Sequence, residues 1–327
     1  MSLRSFRKGR GGTAGRFLLR RLWLSAITLL LVSVVLFVVA EVLPGDVGRT
    51  ILGPFATNAQ VAQLNQELGL NRPLPVRYAD WLGNFVTGDW GQSFLLNTPV
   101  RSLVVDRMGN SLLLGAFALA FIVPVSIGLG VLAALYRDRF IDRAISVTGL
   151  SLIALPEFVI GVIVLVIFAV ELGWFPVSSQ VPSANPVDVF RQFLMPSIPL
   201  MLVLFGYIAR MARAGTVEAL GSDYVRTAVL KGMSRRTLIW RHVLRNALLP
   251  TISVVSVQVG YLFGGLVVIE TLFNYPGIGK LLLDSAVGHD LPVLEASVLV
   301  VAVLYMLSNL VADSLYAVLN PRIRVGR

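Results

Sequence analysis

Few side chains in this sequence can carry covalent chemistry. There is no Cys, which removes thiol nucleophiles, thiolate metal sites and disulfides. The two histidines, His242 and His289, lie far apart without an HExxH or comparable ligand pattern, so no metal is expected. Gly277-Ile278-Gly279-Lys280 looks like the end of a phosphate-binding loop, but the upstream glycine spacing is missing and Leu281 stands where a hydroxyl should hold Mg2+. It reads as a turn, and ATP is not expected to bind here. No paired Asp, HExxH or Ser/Lys constellation lies in an apolar run, so an intramembrane enzyme is not supported. The ionisable residue that stands out is Glu157, which follows Pro156 midway along an apolar stretch. A charge at the centre of a membrane helix costs about 2.5–3.5 kcal/mol on insertion scales, so its presence needs a reason. Proline lacks an N–H and can open the helix, exposing carbonyls to a water-filled cavity. Pro156 and Glu157 are therefore candidates for a translocation path, with Glu157 near a substrate amine. An interhelical hydrogen bond or a protonated carboxyl is the equal alternative. Glu41, Glu270, Asp290 and Glu295 fall near the outer ends of apolar runs, and Asp313, with Asn309, is expected to pair with Arg210 or Arg213.

A second chemistry, that of docking, is written into Gly221-Ser222-Asp223-Tyr224-Val225-Arg226-Thr227-Ala228-Val229-Leu230-Lys231-Gly232-Met233-Ser234. Gly232 can take a positive φ and stop one helix, and Ser234 can bond the free N–H groups that start the next. The result is a helical elbow outside the membrane. Tyr224 and Ala228, four apart, share a face that can enter a partner's cleft. The following Arg235, Arg236, Arg241 and Arg245 can also hold anionic lipid. Gly260-x-x-x-Gly264 with Gly265 allows close backbone approach, either within the chain or against a second copy or homologue.

The elements that must position these residues are set by lipid. The 327 residues are 56% hydrophobic and 14% charged, with a mean hydropathy of +0.78, outside the range of a soluble globular domain. Six segments can cross a bilayer, at about 18–40, 109–136, 144–172, 194–216, 247–271 and 291–319. The basic start and the apolar run Leu22 to Ala40 resemble a signal peptide, but the run is too long and a cleavage pattern is poor, so a retained first span is expected. Of 28 Lys and Arg, 21 fall in the first tail, the alternate loops and the last tail, against 7 elsewhere. The positive-inside rule then puts both termini in the cytoplasm. The net charge of +10 sits between apolar spans and not on a basic soluble face, so no nucleic acid is expected. The organisation read this way is a basic cytoplasmic tail (1–17), the first span (18–40), an external helical region (41–107), spans two to six (108–319) with a cytoplasmic loop at 217–246, and a cytoplasmic tail (320–327). Within 41–107, Thr57 and Gln60 suggest a capping box, with Val61, Leu64 and Leu68 on one helix face and Gly69 ending it. Pro75 opens a second helix bearing Trp81, Leu82 and Phe85 and closed by Gly88, and Thr98-Pro99 starts a third, interfacial one with Val100, Leu103 and Val104. These helices either cap the mouth of the bundle or dock a solute-binding protein.

DYVRTAxxKGxS followed by RHxLRNALLP resembles the dipeptide/oligopeptide (and nickel) branch of ABC-importer permeases, B-type subunit. The likeness extends to FLLRRLWLSAITLLLVSVVLFVVAEVLPGD, LGLNRPLPVRYADWLGNFVTGDWGQSF and FNYPGIGKLLLDSAVGHDLPVLEA. The resemblance implies an all-α polytopic membrane protein with six transmembrane helices of ABC type I importer architecture and a helical external insertion after the first span. It implies that Asp223, Tyr224, Arg226, Thr227, Ala228, Gly232 and Ser234 couple to an ATPase, with Arg226-Thr227-Ala228 at the EAA-type position and Gly232 the loop glycine. The implied partners are a second, homologous permease, two ATPase subunits or one fused pair, an external solute-binding protein and the lipid bilayer of the cell membrane. ATP and Mg2+ would then be held by the ATPase subunits, with no cofactor in this chain. Di- and oligopeptides are the implied cargo, nickel or another small solute the alternative. A different class, an ion-coupled secondary transporter, lacks the expected inverted repeat and mid-membrane charges.

Overall fold

The computed structural model describes residues 10–42, 47–53, 55–67, 69–179 and 186–319. Thirteen α-helices account for most of them: α1 Arg10–Val42, α2 Val47–Leu52, α3 Asn58–Glu67, α4 Leu74–Thr87, α5 Val100–Leu135, α6 Phe140–Ala154, α7 Glu157–Val164, α8 Pro186–Leu220, α9 Asp223–Leu230, α10 Arg235–Leu238, α11 Leu244–Leu272, α12 Ile278–Val287 and α13 Leu291–Leu319. Five helical stretches among the described residues are long and apolar enough to cross a membrane, and α6 with α7 makes a sixth if that bent pair is one span. The chain divides into two compact units, residues 113–275 with both ends of the chain, and residues 23–112 with 276–305, so that α1, α5 and α13 run through both.

Three differences from the sequence-based expectation have local causes. The third span is not one helix over 144–172. It breaks at Leu155-Pro156, where the two halves meet at 104°. Leu155 is extended (φ −90°, ψ 133°), as the steric clash with a following proline ring requires, and Pro156 caps α7 from outside it. The second half then continues as a π-helical turn, Leu165–Glu171. Next, no separate interfacial helix precedes the second span, because α5 starts at Val100 and continues unbroken for 36 residues. Val100 and Val104 are fully buried against Ile278, Leu281, Val293 and Ala296, so this turn belongs to a core and not to an interface. Finally, the fifth span begins at Arg235, since α10 passes through a π turn, Ile239–Val243, into α11.

In the unit of residues 23–112 and 276–305, the helix ends obey their local chemistry. Thr57 N donates to Gln60 Oε1 at 2.9 Å and Gln60 N to Thr57 Oγ1 at 3.4 Å, the reciprocal pair of a capping box. Gly88 (φ +89°) ends α4 in the left-handed region. Leu68, expected on the α3 face, lies outside the described residues. α4 is held to α1 by Phe37, Tyr78 and Trp81, with ring centroids 5.5–6.1 Å apart, by Ser33 with the Tyr78 hydroxyl at 2.8 Å, and by a two-pronged pair of Arg77 with Glu41. Asp290 is buried and accepts from Ser93 Oγ at 2.5 Å, Phe94 N at 3.2 Å and Leu95 N at 3.3 Å, pinning the 93–95 turn beside α12 and α13.

The other unit is built around α8, whose buried face (Met195, Leu200, Leu204, Ile208, Ala212) meets α6, α7 and α11. Small residues set these crossings. A Cβ on Gly206 would strike the Gly149 carbonyl, one on Gly130 would strike Ala209 and Ala212, and one on Gly215 would strike Ala247. Close backbone approach of this kind replaces the hydrophobic driving force that is weak between helices in lipid.

Candidate functional site

The elbow is α9 and α10 joined by Lys231-Gly232-Met233. Gly232 has φ +75°, which an L side chain rarely adopts. Its N–H donates to Val229 O at 2.9 Å and that of Met233 to Ala228 O at 3.2 Å, the paired bonds of a Schellman stop. Ser234 then caps α10, its Oγ accepting from Thr237 N at 3.4 Å. Ser222 precedes α9, but its hydroxyl bonds back to Ala219 O and not to the new helix.

Ala228, placed by spacing beside Tyr224 on a docking face, is instead 6% exposed and packs with Val225, Ala219, Leu238, Val243 and Ala247. The reason is that the elbow needs its own core, and a methyl group at 228 lets α9 lie against the helix that follows. Outward instead stand Asp223, Tyr224, Arg226 and Thr227, with the apolar Val229, Leu230 at 81% exposure and Trp240 at 70%. Leu230 and Trp240 escaped the sequence reading. A large aromatic in a basic loop was the available signal.

Glu157 is the first residue of α7 and is half-buried. Its carboxylate lies against α11 at Gly265, where any Cβ would collide with it. Four residues on, Gly161 meets Ile269 and Leu272 of the same helix. The candidate path residue and one packing glycine thus form a single contact, and Gly265 serves packing inside the chain. Gly260 is buried, whereas Gly264 has nothing within 4 Å of its missing side chain. With Val257, Tyr261 and Val268, Gly264 makes an outward apolar strip along α11.

Arg213 pairs with Asp142; the side chain of Asp313, expected to pair with Arg210 or Arg213, lies outside the described residues. Arg213 Nε and Nη2 donate to the two Asp142 oxygens at 2.5 and 2.7 Å. Asp142 is 3% exposed and also accepts from Asp138 N at 2.9 Å and Ser146 Oγ at 3.2 Å. This clamp joins the start of α6 to α8 seven residues before its end. Among the described residues no group of three or more His, Cys, Asp or Glu side chains is placed to hold a metal ion.

Apolar spans, a broken helix with a half-buried carboxylate and a capped elbow define the class as a polytopic helical membrane protein. Residues 126–325 match the family described as binding-protein-dependent transport system inner membrane component, and residues 15–115 match that family's N-terminal region. The chain is 35% identical over 311 residues to a "Probable peptide ABC transporter permease protein" of Sinorhizobium fredii, covering 95% of this chain and 99% of the relative. It is 38% identical over 298 residues to the glutathione transport system permease protein of Escherichia coli K12, covering 91% and 95%. The fold is similar to that of the inward-facing MetNI methionine ABC transporter, with a TM-score of 0.56 at 15% identity, covering 68% of this chain and 98% of that one. The chain belongs to the binding-protein-dependent transport system inner membrane components. It is a non-catalytic, multi-pass permease subunit of an ABC importer, a class that works with an ATPase and a binding protein.

Proposed function

We propose that this permease forms half of a translocation path for short peptides, including tripeptides of the glutathione type. The observation that carries the substrate class is the likeness, over nearly the whole of both chains, to relatives named for peptide and glutathione transport. Both termini and the elbow face the cytoplasm, where the elbow enters a cleft on an ATPase subunit through Tyr224, Leu230 and Trp240. Rigid-body movement of that subunit tilts α8 and α11, which the elbow joins. ATP and Mg2+ are held by two such subunits or a fused pair. A second, homologous permease packs on the α11 strip of Val257, Tyr261, Gly264 and Val268, and Glu157 meets the cargo amine as it passes α7.

Proteoliposomes holding this chain with its cognate permease, ATPase and binding protein test the reading. Labelled glutathione and dialanine should enter only with ATP. Uptake that survives without ATP and collapses with an ionophore would overturn the coupling. Uptake of a nickel chelate with neither peptide transported would overturn the substrate class.

A further inference from the structure

In the unit of residues 23–112 and 276–305, a cavity of about 210 Å3 opens between the end of α4 and the start of α13. Its walls are aromatic: Trp81, Phe85 and Trp90, with the Phe85 and Trp90 rings stacked at 4.9 Å and Trp81 tilted to Phe85 at 6.3 Å. Trp90 Nε1 is anchored on Phe85 O at 2.9 Å, which fixes the stack. Its two ionisable lining residues are both acidic, Asp89 exposed at the rim and Glu295 inside it at 8% exposure.

Among the described residues Glu295 forms no ion pair, although the charge of Arg77 is felt there. The nearby Arg77 is taken two-pronged by Glu41, and Arg101 lies beside Gly88 and does not line the cavity. Among the described residues no Lys or Arg is within ion-pair distance of Glu295, and its hydrogen-bond donor is the neutral indole of Trp81. A carboxylate taken out of water is costly without a counter-charge. Aromatic faces attract cations, and a wall of rings with acid at depth and rim suits a cation carried on an apolar stem. An anion would meet like charge from both ionisable lining residues, and two carboxylates among rings make no metal cage.

We propose that this cavity binds an organic cation, an ammonium or guanidinium group on a short apolar stem, with Glu295 as its counter-ion and Trp81, Phe85 and Trp90 as its walls. Such a group is offered by a cationic peptide cargo or by a basic side chain of the external binding protein. The site itself stands on this geometry. Its facing the outer side, where either source is met, rests on the orientation proposed above.

The test uses the full chain in nanodiscs and equilibrium dialysis, with no ATPase or ATP present. Nα-acetyl-lysine amide should bind saturably and its neutral isostere Nα-acetyl-norleucine amide at least tenfold more weakly. Asp89→Asn, at the exposed rim, should weaken the cation several-fold, and Glu295→Gln, which keeps an acceptor for Trp81, at least tenfold, both with unchanged melting temperature. Displacement of the probe by lysyl-alanine assigns the site to cargo, and displacement by the binding protein assigns it to that partner. Equal binding of both amides, absence of saturable cation binding, or unaltered binding by Asp89→Asn would overturn the site. Because the assay needs no transport, peptide uptake can stand while this site falls, or the reverse.

Discussion

Asp142 and Arg213 show how one pair of residues fixes the angle between two membrane helices. The carboxylate is nearly fully enclosed and accepts from a guanidinium, a backbone N–H and a hydroxyl, while the Arg213 side chain keeps 31% of its surface. Breaking a buried pair by deleting one partner strands the other, at a cost of about 3–5 kcal/mol when both are enclosed. Partial exposure of Arg213 lets solvent screen it, which brings the expected loss to about 1–3 kcal/mol. Asp142→Ala should lower the melting temperature of the purified chain by several degrees. Asp142→Asn, whose one remaining oxygen can accept from Asp138 N while its amide donates to Ser146 Oγ, should fall between it and the parent. A melt of Asp142→Ala that overlays the parent would show that α6 and α8 are held by their glycine crossing alone. The sequence does not show this pair, since a contact between positions 142 and 213 leaves no periodic or local trace; Arg213 is legible only, beside Arg210, as one of two candidate partners for Asp313.

Elements whose ends are decided by neighbours in sequence were readable in advance. Thr57 with Gln60, Gly88, Gly232 and Ser234 all act within one turn of the chain, where cap and stop chemistry operates. The broken third span was half legible: Pro156 pointed to an opening, but a 104° turn with a π turn after it depends on packing against α8 and α11. The inward rotation of Ala228 was hidden for the same reason. A short helix has two apolar sides, and only the partner helix decides which is core. In the docking proposed for the elbow, the strength comes from the side chains that remain outward. Leu230→Ala with Trp240→Ala should weaken binding of the ATPase subunit at least tenfold in a pull-down titration, with an unchanged melting temperature, because neither side chain enters the elbow core. Gly232→Ala should instead cost about 1 kcal/mol in the left-handed region and loosen the elbow itself. Undiminished ATPase binding by the double variant would move the docking face to another part of the chain.

At the scale of the whole molecule, lipid and charge decide the arrangement, and side-chain chemistry matters less. The first span is exposed along most of its length, Trp23, Leu31, Val35 and Val39 among others, and the buried share is greatest in α8. The orientation proposed above rests on the threefold excess of Lys and Arg on one set of loops, because translocating each cation outward is disfavoured. The absence of cysteine makes this directly measurable, since any introduced thiol reports without background. Thr227→Cys lies on the exposed face of α9, and Asn71→Cys in the exposed turn between α3 and α4. In intact cells expressing the chain without its ATPase, a membrane-impermeant maleimide should label Asn71→Cys at once and Thr227→Cys only after the membrane is opened. The reverse pattern would put the elbow outside, beyond the reach of any cytoplasmic ATPase, and the coupling proposed for α9 and α10 would fail with it. Equal labelling of both before opening would mean that the two segments share a side, which an odd number of crossings between positions 71 and 227 forbids. α5, α8 and, if it is one span, the bent pair α6 and α7 supply three such crossings, so this outcome would also show that the α6 and α7 pair re-enters the membrane and does not span it.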